Sequence, residues 1–257
     1  MRIVIKIGTS TLAHKSGLLN IRRVEELVKV MSDLKNAGDE IILVSSGAIG
    51  MGAGKLSLTD RPSDIPTKQA AAAVGQCELM YTYDKLFSEY NHTVAQILIT
   101  GEDIENTVRR KNFENTVRRL LELGALPIIN ENDSIATDEI VIGDNDTLGA
   151  IAATAVNADL LILLSDIDGL FTADPHKDKN AVLLERVENI TPEIIKMTGG
   201  AGSRFGTGGM ETKIKAAKIA TDAGIDMVIA NGKDPSVLYD IIDGKNVGTR
   251  FVAGKVE

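Results

Sequence analysis

MRIVIKIGTS, residues 1–10, is the stretch whose reading decides the fold. It carries five apolar residues around a lysine and then turns at Gly8. That run is too short for a signal-peptide core and reads as a strand. Near-continuous apolar runs recur at 40–44, 94–99, 126–129, 160–164 and 226–230, as expected for strands covered on both faces. Helical patterns lie between them. Residues 21–37 place Val24, Leu27, Val28, Met31 and Leu34 at helical spacing, with Gly38 as the stop. A second pattern, 66–90, opens on a proline and is rich in alanine. Three more follow: 102–123 ended by Gly124, 144–158, and 210–223 ended by Gly224. Strands alternating with helices imply an α/β fold, a mostly parallel sheet with helices on both faces. The length also suits a TIM barrel. The strand starts are unevenly spaced, however, and 138–142 reads as an antiparallel excursion, so an open sheet is expected.

Composition narrows the function classes. The chain has 257 residues, 44% hydrophobic and 25% charged, ordinary values for a globular protein. Surface scaling predicts that roughly 73% of the surface is buried, enough for a core without staples. The net charge is −8, which argues against binding nucleic acid through bulk charge. One cysteine, Cys77, excludes an intrachain disulfide. His14, His92 and His176 are scattered, which argues against a three-histidine zinc site. No apolar run is long enough to span a membrane. These features point to a cytoplasmic enzyme.

Several motifs could carry chemistry. Lys6-Ile-Gly-Thr-Ser10 ends the first strand. A lysine within an apolar strand needs a partner or a route to water, and Gly8 would let backbone approach a ligand. Ligands in open α/β sheets bind beyond the carboxyl ends of strands. Val44-Ser-Ser-Gly-Ala-Ile-Gly50 follows another strand. It reads either as an anion cradle of bare N–H groups or as a tight turn that needs small residues. Asn130-Glu-Asn-Asp-Ser134 and Gly143-Asp-Asn-Asp146 put Glu131, Asp133, Asp144 and Asp146 within 16 residues. Such carboxylates can hold an ammonium, hold Mg²⁺ or orient a lysine. They also serve as plain caps and turns, and Asp144 reads as a helix cap. Ser165-Asp-Ile-Asp168 is a polar loop at a strand end. Gly206-Thr-Gly-Gly-Met-Glu-Thr-Lys213 sets glycines before a helix and a lysine one turn inside it. That combination of backbone donors, helix dipole and mobile cation suits phosphates. It departs from a Walker loop and from a dinucleotide fingerprint. A short repeat, Glu105-Asn-Thr-Val-Arg-Arg110 and Glu114-Asn-Thr-Val-Arg-Arg119, sits in one predicted helix with its copies on opposite sides.

The order of these motifs is more specific than any one of them. Lys-x-Gly-Thr-Ser, Ser-Ser-Gly-Ala, Asn-Glu-Asn-Asp, Gly-Asp-Asn-Asp and Gly-Thr-Gly-Gly-Met-x-Thr-Lys together resemble the glutamate 5-kinases of the amino-acid kinase family, from Arg2 to about Gly244. The resemblance implies a three-layer αβα sandwich with a mainly parallel sheet of about eight strands. It implies a single kinase domain over 1–257, its N-terminal part binding glutamate and its C-terminal part ATP, without the RNA-modification-type (PUA) domain that many members carry. The implied reaction is ATP-dependent phosphorylation of the γ-carboxylate of L-glutamate, the first step of proline biosynthesis, by direct in-line transfer.

Carried over position by position, Ser46, Gly47, Asp133 and Asn145 are expected to hold glutamate. Lys6 and Lys213 are expected to act on the transferred phosphoryl group, with Asp146 holding both lysines. Lys6, Gly8, Ser165, Asp166, Thr207, Gly208, Gly209, Met210, Glu211, Thr212 and Lys213 form the expected ATP site, and Glu211 is expected to point to solvent. Mg²⁺ is expected on the ATP phosphates, with no dedicated metal site in the protein. The resemblance also implies proline feedback and a homo-oligomer, dimer or tetramer, with no nucleic acid or membrane as partner. Other acyl-phosphate kinases of the superfamily, such as acetylglutamate kinase or aspartokinase, and a catalytically silent sensor are the alternatives.

Overall fold

A computed structural model describes residues 1–14, 18–58, 60, 62–135, 144–175, 177–197 and 209–254. In chain order the elements are β1 (Arg2–Ile7), α1 (Thr9–Leu12), α2 (Ile21–Asn36), β2 (Glu40–Ser45), α3 (Ala48–Lys55), α4 (Ile65–Ser88), β3 (Val94–Ile99), α5 (Gly101–Glu105), α6 (Thr107–Glu122), β4 (Leu126–Glu131), α7 (Asn145–Val156), β5 (Leu160–Ser165), β6 (Arg186–Val187), α8 (Pro192–Met197), α9 (Met210–Asp222), β7 (Asp226–Asn231), α10 (Val237–Ile242) and β8 (Thr249–Phe251). The strands form one eight-stranded sheet in the order β3-β4-β2-β1-β5-β7-β8-β6. Neighbours are parallel except β7 and β8. The chain thus builds one side of β1 first and crosses to the other side at β5. The carboxyl ends around that reversal are where such sheets hold ligands.

Two hydrophobic cores, one on each face, explain the layers. Ile3, Ile5 and Ile7 of β1 enter the core shared with α2, α4 and α10. Val4 enters the opposite core, shared with α6, α7 and α9. The two-residue period of a strand therefore turns Lys6 toward α7 and α9. Gly149 of α7 permits that approach, because a Cβ there would lie 3.3 Å from Lys6 Cβ.

Helices α3 and α4 meet backbone to backbone. A Cβ at Gly52 would stand 1.7 Å from the Ala71 carbonyl oxygen, and one at Gly75 would stand 1.8 Å from that of Ala48. Neither position admits a side chain without moving a helix. The contact sets the height of α3, and so of the loop Ser45–Gly47, against α4.

The six long apolar runs and the open sheet were legible, with strand ends shifted by at most two residues. The expected helix over 102–123 is two helices. Thr100 and Asp103 form a capping box on α5. The Asn106 side chain then accepts from the backbone N–H groups of Val108 and Arg109 and starts α6. The first copy of the repeat is thus a helix junction and the second lies within α6, so they are not two faces of one helix. The expected excursion at 138–142 lies outside the described residues.

Candidate active site

Four strand ends and two helix starts converge on the site. The sequence Asp144-Asn145-Asp146 opens α7. Asp144 is its N-cap, accepting from the N–H groups of Asp146 at 2.6 Å and Thr147 at 3.0 Å. The next two residues lie about 100° apart around the helix and face different neighbours. Asp146 turns to β1 and α9, and Asn145 turns to β2 and β4.

On the Asp146 side, the Lys6 ammonium lies 2.6 Å from Oδ1 and that of Lys213 lies 3.1 Å from Oδ2. Thr212 Oγ1 donates to Oδ2 at 2.9 Å. Asp146 is 0% exposed, Lys213 4% and Lys6 8%. Burial alone would raise the Asp146 carboxyl, but the two lysines overcome it and hold the pKa at about 2. Two ammonium groups share this one buried carboxylate, and the neighbouring Asp144 carboxyl also acts on Lys6. The sequence suggested a mobile cation at Lys213; the structure buries it and ties it to Asp146.

On the Asn145 side, a chain of amides runs through the protein. Asn145 Nδ2 donates to the Ser45 carbonyl oxygen at 3.1 Å, to Ser46 Oγ at 2.7 Å and to Asn130 Oδ1 at 3.0 Å. Asn130 Nδ2 donates to Gln76 Oε1 at 2.9 Å. Gly47 takes φ +106°, the left-handed region that favours glycine, and starts α3. Ser45 Oγ and Tyr83 OH are hydrogen-bonded at 2.9 Å beneath this loop.

Next to the amide chain lies a cavity of about 420 Å³ between α4, β3 and the end of β4, lined by Gln76, Glu131, Asp133 and Ser134 among others. Its carboxylates behave opposite to Asp146. Burial pushes Asp133 up to about 6. Burial, with the charges of Asp133 and Asp144 adding to it, pushes Glu131 up to about 7. Asp144 is raised too, by burial and then by Asp146.

The remaining sequence candidates are placed as follows. Gly8 lies over the lysine, and a Cβ there would be 3.6 Å from Lys6 Nζ. Ser165 is nearly buried at the end of β5 and donates to Asp166 Oδ1 at 3.2 Å. Gly209 starts α9, Met210 is half-buried and Glu211 is exposed as expected. Thr207 and Gly208 lie outside the described residues. Sequence reasoning missed Gln76 as a site residue, left Asn130 as part of a motif only, and missed Asn231, which donates to Asp168 Oδ1 at 2.7 Å. The signal for Gln76 was present. It is the one amide in a buried helical stripe with Ala72, Leu79 and Tyr83, and a buried amide must find partners. Among the described residues no three His, Cys, Asp or Glu side chains cluster to hold a metal. No described helix is long and apolar enough to cross a membrane.

Comparison with known proteins gives these neighbours. Residues 1–231 match the amino acid kinase family. A Clostridium perfringens protein named glutamate 5-kinase is 54% identical over 100% of this chain and 97% of its own length. A Clostridium tetani protein of the same name is 56% identical over 98% and 95%. Among solved structures, UMP kinase from Bacillus anthracis superposes with a TM-score of 0.67 at 17% identity, covering 98% of this chain and 96% of that one. Isopentenyl phosphate kinase from T. acidophilum gives 0.64 at 19%, covering 98% and 100%. These two share the fold.

Proposed function

The chain belongs to the amino acid kinase family, and on that premise we propose that it phosphorylates the γ-carboxylate of L-glutamate with ATP. The product is γ-glutamyl phosphate, made in the first step of proline biosynthesis. The observation that carries the chemistry is the buried pair Lys6 and Lys213 sharing Asp146. Phosphoryl transfer needs positioning and charge neutralisation more than covalent help. Two ammonium groups held in a dry site supply the neutralisation without reorganising during the reaction.

The step balances without a base. A γ-carboxylate oxygen attacks the γ-phosphorus, the β–γ bridging P–O bond breaks, and ADP leaves with that electron pair. The acceptor is already an anion, so no proton is removed. Transfer is direct and in line, and a chirally labelled γ-phosphate therefore inverts. Lys6 and Lys213 are assigned to the transferred phosphoryl, and Asp146 orients both. Gly8, Ser165, Asp166 and the segment 207–213 are assigned to ATP, with Mg²⁺ arriving on its phosphate oxygens. Ser46, Gly47, Asp133 and Asn145 are assigned to glutamate. This puts both substrates on a single kinase domain, glutamate toward its N-terminal part and ATP toward its C-terminal part. Free glutamate and ATP are cytoplasmic metabolites, and the enzyme is placed there.

Inhibition by proline and assembly into a dimer or tetramer are carried over from the resemblance. A proline titration that leaves activity unchanged at millimolar concentrations contradicts the first, and a monomeric mass by light scattering contradicts the second. The reaction itself is tested by ADP release with hydroxylamine as acyl-phosphate trap. Glutamate-dependent ADP with γ-glutamyl hydroxamate is expected; no turnover with glutamate contradicts the proposal.

A further inference from the structure

The amide chain between the two clusters has one direction, and backbone groups set it. The Ser45 carbonyl can only accept, so Asn145 turns Nδ2 toward it. The Glu131 N–H can only donate, so Asn130 turns Oδ1 toward it, at 2.9 Å. That same Oδ1 receives Asn145 Nδ2. Asn130 is left with Nδ2 facing Gln76, which must answer with Oε1. The two N–H groups of Gln76 Nε2 remain. Gln76 is only 8% exposed and lines the cavity beside Asp133, and its Nε2 meets no acceptor among the described residues.

This donor opens onto the cavity, the space where a ligand would sit, and among the described residues no protein acceptor competes for it. We propose that Gln76 binds substrate, donating from Nε2 to the α-carboxylate of the amino acid. The inference rests on the reading of this cavity as the glutamate site. Its geometry sorts the three charged groups of glutamate. The γ-carboxylate belongs with the lysine pair that acts on phosphoryl. The ammonium belongs with Asp133 and Glu131, which repel either carboxylate. The α-carboxylate then needs a donor that is not an acid, and Gln76 offers one.

Two substitutions separate binding from scaffolding. Gln76→Glu keeps an oxygen to accept from Asn130 but has no amide N–H to donate. Gln76→Met keeps the bulk and removes both functions. Both are assayed beside the wild type with the hydroxylamine trap. The expected result is a rise in glutamate KM of about ten- to a hundred-fold for both variants, the value of a hydrogen bond to a charged group. kcat and the KM for ATP stay within about threefold, since neither reports on the α-carboxylate. A residue that only held Asn130 in place would be replaced well by Glu. Unchanged glutamate KM in Gln76→Glu, with an active wild type, therefore overturns this inference alone. A wild type that makes no hydroxamate from glutamate overturns the functional reading and this inference with it. If Gln76→Glu does not fold, the glutamate KM of Gln76→Met decides by the same criterion.

Discussion

Asp146, fully buried, and Asp133, half-buried, are carboxylates near the carboxyl edge of one sheet, and their protonation equilibria move in opposite directions. Asp146 has two lysines on it and is held at about 2. Asp133 has no cation to offset its burial and stands at about 6, with Glu131 at about 7 close by. Asp146 is the more deeply buried of the two and still has the lower pKa, so partners make the difference. The charges of each cluster say which ligand it favours. Two ammonium groups sharing one carboxylate are completed by an anion such as a phosphoryl group. Two carboxylates raised by burial are completed by a cation such as an α-ammonium. The amide chain through Asn145, Asn130 and Gln76 links the two clusters, so one molecule with an ammonium at one end and a carboxylate at the other can meet both.

The contrast can be broken by removing the shared carboxylate. Asp146→Ala strands two ammonium groups in a dry site, and a loss of about 3–5 kcal/mol in denaturant unfolding is expected. A variant as stable as the wild type would mean that the lysines find water, and that the cluster is not closed. Next in size, Lys213→Ala lowers kcat by about a hundred- to a thousand-fold, as for removal of one donor to developing charge, while glutamate KM changes little. Unchanged kcat in steady-state assays removes Lys213 from the chemistry. On the other side of the contrast, Asp133→Ala is expected to act mainly on glutamate KM, raising it by about tenfold or more; an equal loss in kcat would merge the two clusters into one function.

The smallest effect concerns stability and pH. Asp133 has a folded-state pKa above its ordinary value of 3.8. Its favourable contribution is therefore complete below about 4 and is lost as pH rises through about 6. Asp133→Asn carries no such loss. It is expected to be more stable than the wild type by about 1–3 kcal/mol near pH 8, and equal to it near pH 4. Thermal unfolding at the two pH values checks this, and a difference that grows on acidification has the wrong sign. Asp146 supplies the internal control. Its lowered pKa contributes stability above about 3.8 that is lost as pH falls toward 2.

Much of this arrangement was legible from residues alone, because its signals are local. Lys6 stands out as a charge inside an apolar strand, and strand alternation sends it to the face where α7 brings Asp146. Lys213 follows glycines at a helix start. What was not legible depends on distant pairing. Gln76 lies 54 residues from Asn130, and nothing between them announces the contact. The edge strands β6 and β8 have two and three residues and no period to detect. The break between α5 and α6 turns on Asn106, whose capping role competes with a helical pattern that runs across it. The terminal strand β8 returns antiparallel to β7, whereas the antiparallel signal in the sequence pointed to 138–142.

The central claim is that one end of the acceptor must be a cation for the acid cavity and the other an anion for the lysine pair. The most direct test compares L-glutamate with N-acetyl-L-glutamate under hydroxylamine trapping, since acetylation removes the ammonium and leaves both carboxylates. The account predicts γ-glutamyl hydroxamate from L-glutamate, and kcat/KM for the acetylated compound lower by about a hundredfold or more, the scale for leaving buried charges unpaired. Equal turnover of the two acceptors would contradict it, because the raised carboxylates of Glu131 and Asp133 would then have no part in choosing the substrate.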